Sequence, residues 1–311
     1  MRNAFAEELT DLAARDERIV LLSADIGNRL FDRIKDRCPD RFFNCGVAEA
    51  NMISMAAGMA LCGFHPVAYT IASFITARCL EQIRLDMCYQ RAPVVIVGTG
   101  AGLGYASLNA THHSCEDIAF LRVLPNMTVL CPGDPVEVRL ALRAALAHEG
   151  PVYLRIGKKG EPTVHAQTPT FTIGQWIALR EGRDVCLLST GNVLPVAMGA
   201  AEVLTQHGVS TGVVSCHTVK PLDQDCLAAA FASCRLVATL EEHTILGGFG
   251  GSVAEWLSDH PGQAARLLRF GTGDAFLYEA TEQEHARGHF GLNAASVARK
   301  IQSALAIGVT P

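Results

Sequence analysis

The sequence predicts an α/β protein: two domains with mostly parallel sheets flanked by helices. Short β-branched runs alternate with amphipathic stretches of helical length along the whole chain, the pattern of parallel strands buried under helices. A polar, proline-bearing stretch without periodicity interrupts that alternation near the middle, as a linker would. The chain has 311 residues, 49% of them apolar, which is enough material for two cores.

In chain order, the first half offers strands at Ile19 to Ala24, Val67 to Thr70, Val94 to Gly98, Thr128 to Cys131 and Val152 to Ile156. Each is a short aliphatic run of strand length. Asp134-Pro135-Val136-Glu137 supplies an N-cap acid, a proline at the first helical position and a glutamate soon after, and Gly150 closes that helix. Ser114-Cys115-Glu116-Asp117 reads as a similar cap for a helix through about Val123, stopped by Pro125. The stretch GKKGEPTVHAQTP marks the boundary, giving a first domain over 1–160, a linker over 161–170 and a second domain over 171–311. Beyond it, strands at Val185 to Ser189, Val209 to Ser215, Leu236 to Glu241 and Leu267 to Phe270 alternate with helices. Those helices lie near Pro195 to Gln206, Asp223 to Ala232, Gly251 to Ser258 and Asn293 to Leu305.

Composition excludes several classes of function. A charged fraction of 18% and a net charge of -5 provide no positive field for nucleic acid or acidic membranes. Glu7 and Glu8 interrupt the N-terminal region where a secretion signal would be apolar, and no run of membrane-spanning length follows, so the expected compartment is cytoplasmic. The 11 cysteines are an odd number, show no CxxC pair, and are expected to be reduced.

The segment Gly46-Val47-Ala48-Glu49-Ala50-Asn51-Met52 places a lone glutamate in the first turn of a helix, which the helix dipole favours by itself. It stands in an ordered set with Ser23-Ala24-Asp25, Ser73-Phe74, Ala110-Thr111-His112-His113, Leu124-Pro125-Asn126-Met127, Glu241-Glu242-His243 and Gly247-Gly248-Phe249-Gly250-Gly251. Over essentially its whole length, the chain thereby resembles the transketolase and deoxyxylulose-phosphate-synthase group. The resemblance implies a pyrimidine-binding domain followed by a transketolase C-terminal domain, with thiamine diphosphate as cofactor. It assigns Glu49 to the N1′ atom of the aminopyrimidine, Phe74 to stacking on that ring, and Asp25 with Ile26 to the cofactor's surroundings. Ala48, Ala50, Met52 and Met55 are expected to shelter the glutamate. The resemblance also gives His112 proton transfer at the substrate and His113 a supporting role. Imidazole suits that work because its pKa lies near neutrality.

Arg2 and Arg155 match family phosphate ligands, and Arg29 is a candidate replacement for a phosphate-binding serine. A guanidinium pairs readily with a phosphate or sulfonate tail. The pattern also departs from the family. Ala77 and Leu80 stand where further aromatics are usual, while Gly100 and Leu108 replace an anion-binding histidine and an aspartate that reads a substrate hydroxyl. The glycines over 98–104 do not give a dinucleotide loop; they are expected to admit a ligand or a neighbouring chain. Glu241-Glu242-His243 and the glycines after it suggest subunit association rather than catalysis, and neither His217 nor His243 is given a catalytic role.

The sequence contains no GDG segment, and Gly133-Asp134-Pro135 cannot replace it because its proline opens a helix. A full-length member would carry a diphosphate-binding domain ahead of the residues that open this chain. The resemblance therefore implies a split enzyme. An N-terminal transketolase subunit with the GDG motif would hold Mg2+ (or Ca2+), in an α2β2 assembly with sites between chains. The expected reaction is transfer of a two-carbon ketol unit from an anionic ketose to an aldose. The rivals are a deoxyxylulose-phosphate-synthase-like enzyme, the beta subunit of a 2-oxoacid dehydrogenase decarboxylase, and a non-catalytic stabilising subunit.

Overall fold

The computed structural model describes residues 1–27 and 29–306. Two sheets, each covered by helices, confirm the α/β class with mostly parallel strands. The first sheet contains β1 (Ile19–Ser23), β2 (Phe42–Asn44), β3 (His65–Ile71), β4 (Val95–Thr99), β5 (Thr128–Leu130) and β6 (Val152–Ile156). The second contains β7 (Ile177–Arg180), β8 (Val185–Ser189), β9 (Thr211–Ser215), β11 (Leu236–Thr244) and β12 (Arg266–Thr272). Between them, β10 (Thr218–Lys220) leaves the second half of the chain to pair antiparallel with β5, so the first sheet runs β10-β5-β6-β4-β3-β1-β2. The second sheet runs β12-β11-β8-β9-β7, antiparallel only at its β7 edge.

Helix Pro135–Leu146 illustrates how sequence becomes packing. The Asp134 carboxylate accepts the Glu137 N–H at 2.8 Å, closing the predicted cap. Val138, Ala141, Leu142 and Ala145 then recur at helical spacing and are buried in one core layer with Phe5, Phe31, Tyr69 and Leu154. The opposite face of the first sheet contributes Met52, Ile75 and Ile96 to a cluster that continues into the second sheet through Cys186, Phe249 and Trp256. This shared core and the exchanged strand β10 lock the two sheets together.

The stretch read as a linker has no helix or strand from Gly157 to Phe171, yet it is anchored. Asp134 Oδ2 accepts the Val164 and His165 N–H groups, and the Met1 ammonium pairs with Glu161 at 2.9 Å. The cap at Ser114 is a correction. Ser114 exchanges two backbone hydrogen bonds with Gly102, the helix covers only Asp117–Arg122, and the Glu116 carboxylate accepts the Cys115 N–H instead of capping. No helix among the described residues is long and apolar enough to cross a membrane. All 11 cysteines are free thiols.

Candidate active site

The parallel strands of the first sheet end on one edge, where open α/β sheets bind ligands. Asp25 and Ile26 follow β1, Glu49 follows β2, Phe74 follows β3, Tyr105 and His112 lie on the long connection after β4, and Lys158 follows β6. Parallel pairing in register thus gathers at one place residues separated by more than a hundred positions in sequence.

Glu49 is the first residue of helix Glu49–Leu61 and is 5% exposed. Its Oε1 accepts a hydrogen bond from Arg78 Nη1 at 2.9 Å. The Arg78 guanidinium also lies over the Phe74 ring, 3.8 Å from its centroid. The Phe74 ring stands 5.1 Å from the His112 imidazole, which is 6.1 Å from the Tyr105 ring. Lys158 Nζ sits 4.3 Å from the Tyr105 centroid. A continuous line therefore runs from a carboxylate across two aromatic rings and an imidazole to an ammonium. Met52 is buried as expected for the shelter of Glu49, but Met55 is exposed and accepts a contact from Asn51.

The hydrogen bonds of His112 fix its tautomer. Thr111 Oγ1 donates its one proton to the Leu108 carbonyl at 3.0 Å, so the 2.9 Å contact with His112 Nδ1 requires Nδ1–H to donate to Thr111. Nε2 is left as the basic nitrogen. Burial, with the neighbouring charges of Arg78 and Lys158, holds the imidazole pKa below its usual value, so His112 is neutral at pH 7. Arg2 lies beside the Tyr105 phenol, whose pKa burial raises while the Arg2 charge opposes that rise. Burial and the charges of Lys159 and Arg2 depress the Lys158 pKa, and Glu282 only partly offsets them. Such a crowd of cations favours an incoming anion.

The glycines over 98–104 make close approaches within the chain itself. A Cβ on Gly100, at φ +68°, would meet the Tyr105 ring at 2.0 Å; one on Gly102 would meet the Glu242 carbonyl oxygen at 2.5 Å. Asp25, exposed and at φ 51°, is laced to β2. Its N–H donates to Asn44 Oδ1 at 3.2 Å, and Asn44 Nδ2 returns a bond to Asp25 Oδ1 at 3.0 Å. Ile26 packs against the cluster containing Phe31 and Tyr69, and its carbonyl accepts the Ser23 hydroxyl. Arg29 is exposed on the turn that follows.

Two predicted substrate ligands lie elsewhere. Arg155 is 2% exposed: its Nε donates to Asp117 Oδ2 at 2.8 Å and its Nη2 to the carbonyls of Ser114 and Glu242. Its charge is committed to joining the two sheets, whereas Lys158 lies beside Tyr105 at the sheet edge. His113 parts from His112: it is buried and lines an interdomain cavity of about 290 Å³ with Cys115, Thr244 and residues 272–277. Arg78, Tyr105 and Lys158 escaped the sequence reading, although the GKKG run after β6 was a visible signal for the last.

Glu241-Glu242-His243 faces inward, which corrects the reading of that segment as a contact between subunits. Glu241 accepts the Phe249 and Gly250 N–H groups at a helix start, and Glu242 accepts the Leu103 N–H and pairs with Arg287. His243 Nδ1–H donates to the Thr244 carbonyl while Nε2 accepts the Ala119 N–H, a neutral ring. Burial pushes its pKa down to about 4. The unfolded chain therefore takes up this proton first as pH falls, so the stabilisation is present above pH 6.5 and is lost toward pH 4. The stability advantage of wild type over His243→Gln is expected to shrink by about 3 kcal/mol across that window in urea titrations. Glu241, which burial pushes to about 7, weakens the fold as pH rises from 4.5, so the two proteins are compared at each pH.

The face of Phe74 and the Glu49 carboxylate already hold a planar group carrying N–H donors, so an aminopyrimidine fits this slot by shape and chemistry. Among the described residues no group of three His, Cys, Asp or Glu is placed to hold a metal. Asp134, in Gly133-Asp134-Pro135, is fully buried and spent on three N–H groups.

Comparison with known proteins gives matches along nearly the whole chain. Residues 1–161 match the transketolase pyrimidine binding domain, and residues 174–297 match the transketolase C-terminal domain. A transketolase C-terminal section of Methanocaldococcus jannaschii is 36% identical, covering 97% of this chain and 95% of that protein. A 6-deoxy-6-sulfo-D-fructose transketolase subunit of Clostridium sp. strain MSTE9 is 34% identical over 96% and 92%. A solved split gene transketolase, an inactive β4 tetramer, superposes with TM-score 0.88 at 35% identity, covering 98% of this chain and 97% of that one.

Proposed function

The chain belongs to the transketolase family, and on that premise we propose that it is the pyrimidine-binding half of a split, thiamine-diphosphate-dependent transketolase. It moves a two-carbon ketol unit from an anionic ketose to an aldose once a partner chain completes the site. The observation that carries this reading is the line Glu49, Phe74, His112, Tyr105, Lys158 along one sheet edge. Support comes from its relatives. Two of them, themselves named as a section and a subunit, match over nearly their full lengths, and the β chains of the solved split enzyme form an inactive tetramer. The partner, an N-terminal subunit with a GDG motif, contributes the diphosphate and Mg2+ (or Ca2+) ligands, and the two assemble as α2β2 in the cytoplasm.

When bound, thiamine diphosphate would supply the carbon nucleophile for ketol transfer. Glu49 would share a proton with a nitrogen of the aminopyrimidine ring, and Phe74 would fix the ring plane. Neutral His112 accepts a proton at Nε2 from a substrate hydroxyl and returns it to the forming one. Lys158 and Arg2 pair with the anionic tail, whether phosphate or sulfonate.

Mixing the chain with its candidate partner, thiamine diphosphate and magnesium should give ketol transfer between ketose and aldose. Turnover by this chain alone would sink the split reading, and acyl transfer or condensation from pyruvate would redirect it to the rival chemistries. In that mixture His112→Ala should lower kcat by about 10²- to 10⁴-fold, with the cofactor Kd nearly unchanged by calorimetry. Lys158→Ala should raise KM for a phosphorylated ketose by about tenfold and leave kcat and neutral ketoses little affected. Equal loss in both parameters would remove Lys158 from the tail site.

A further inference from the structure

We propose that Arg78 stands in for the cofactor's aminopyrimidine ring in the unloaded subunit and must be displaced for loading. This rests on the reading of Glu49 and Phe74 as the pyrimidine site. Two independent contacts define that site, and Arg78 occupies both. It donates to Glu49 Oε1 at 2.9 Å, and its guanidinium carbon stands 3.8 Å from the Phe74 centroid, the separation of one stacked plane. A guanidinium is planar, delocalised and fringed with N–H donors, so it reproduces the shape and polarity of an aminopyrimidine. Only one such plane fits against that ring face. Loading of the cofactor is then a competition between an internal and an external ligand.

The arrangement explains how the empty subunit tolerates Glu49. The carboxylate is nearly buried, and a buried charge without a partner is strongly destabilising. Arg78 neutralises it, while its own side chain is 48% exposed and has an open route outward. The residue sits just past helix Ala72–Ala77 in ordinary αR geometry, so a change of side-chain rotamer alone releases the slot. A half-exposed ion pair and a cation–π contact are modest individually. Together they keep the self-occupied form at about nine-tenths or more, which weakens apparent cofactor affinity about tenfold.

Arg78→Gln separates this role from a purely structural one because it moves two readouts in opposite directions. The free variant chain should melt at a lower temperature than wild type, yet its complex with the partner should bind thiamine diphosphate about tenfold more tightly by calorimetry at saturating magnesium. Arg78→Lys, which keeps the charge but loses the plane, should fall between the two in Kd. It also carries the test if the glutamine variant fails to fold. A double-mutant cycle with Glu49→Gln on melting of the free chain checks the pair without cofactor. An unchanged or weaker Kd in both variants, or an additive cycle, overturns the stand-in. If wild-type complex takes up no cofactor, the pyrimidine-site reading falls and the stand-in with it, an outcome distinct from normal wild-type binding with insensitive variants.

Discussion

Glu49→Ala is expected to lower kcat of the reconstituted enzyme by about 10³-fold or more, at the upper end of what a positioned proton-transfer group contributes. The fold should survive the change. Glu49 lies at a helix start rather than in the middle of a core, and its one ionic partner, Arg78, can turn toward solvent when the carboxylate is gone. Circular dichroism should therefore show a native spectrum while transfer is lost. Glu49→Gln sharpens the test: the amide preserves the volume and a hydrogen bond but cannot exchange a proton with a ring nitrogen. A comparable loss of kcat, with cofactor Kd shifted by no more than about tenfold, assigns the effect to proton sharing rather than binding. Wild-type-like turnover in either variant would remove the cofactor assignment from Glu49.

The core strands were legible because each is a run of aliphatic residues between polar breaks: Val152–Ile156 and Val185–Ser189 have the bounds that the sequence suggested. The short edge strands were not. Phe42–Asn44 and Thr218–Lys220 are three residues each, too short to show a period, and the second is a strand only because it reaches back to β5. The same division runs through the site. Glu49, Phe74 and His112 lie together at the sheet edge, as their order along the chain suggested. Arg78 and Tyr105 were invisible because a position in sequence does not say that a side chain folds back over a ring four residues earlier, or fills the space that Gly100 leaves. The adjacent histidines parted because His112 is tied to Thr111 at the cleft while His113 turns into the junction between sheets.

Arg155 offers the sharpest separation of the two kinds of residue. Along β6, Val152, Leu154 and Ile156 enter one core cluster, whereas Tyr153 belongs to the other, and the two-residue period puts Arg155 on the Tyr153 side. There both residues meet Asp117: the Tyr153 hydroxyl donates to Oδ2 at 2.6 Å and Arg155 Nε to the same oxygen at 2.8 Å. Asp117 Oδ1 has no hydrogen-bond partner, so the carboxylate depends on the guanidinium for its neutralisation. Arg155→Met should leave a fully buried, uncompensated carboxylate and take one donor from each of two carbonyls. The expected cost is about 3–5 kcal/mol, read as a large fall in urea midpoint. Adding Asp117→Leu should recover most of it, since well-packed apolar replacements of a buried pair are often neutral. A substrate ligand would behave differently, raising KM while the midpoint stayed put. That outcome would return the anion site to Arg155 and take it from Lys158, which lies past the strand end, where the chain is free to turn toward His112.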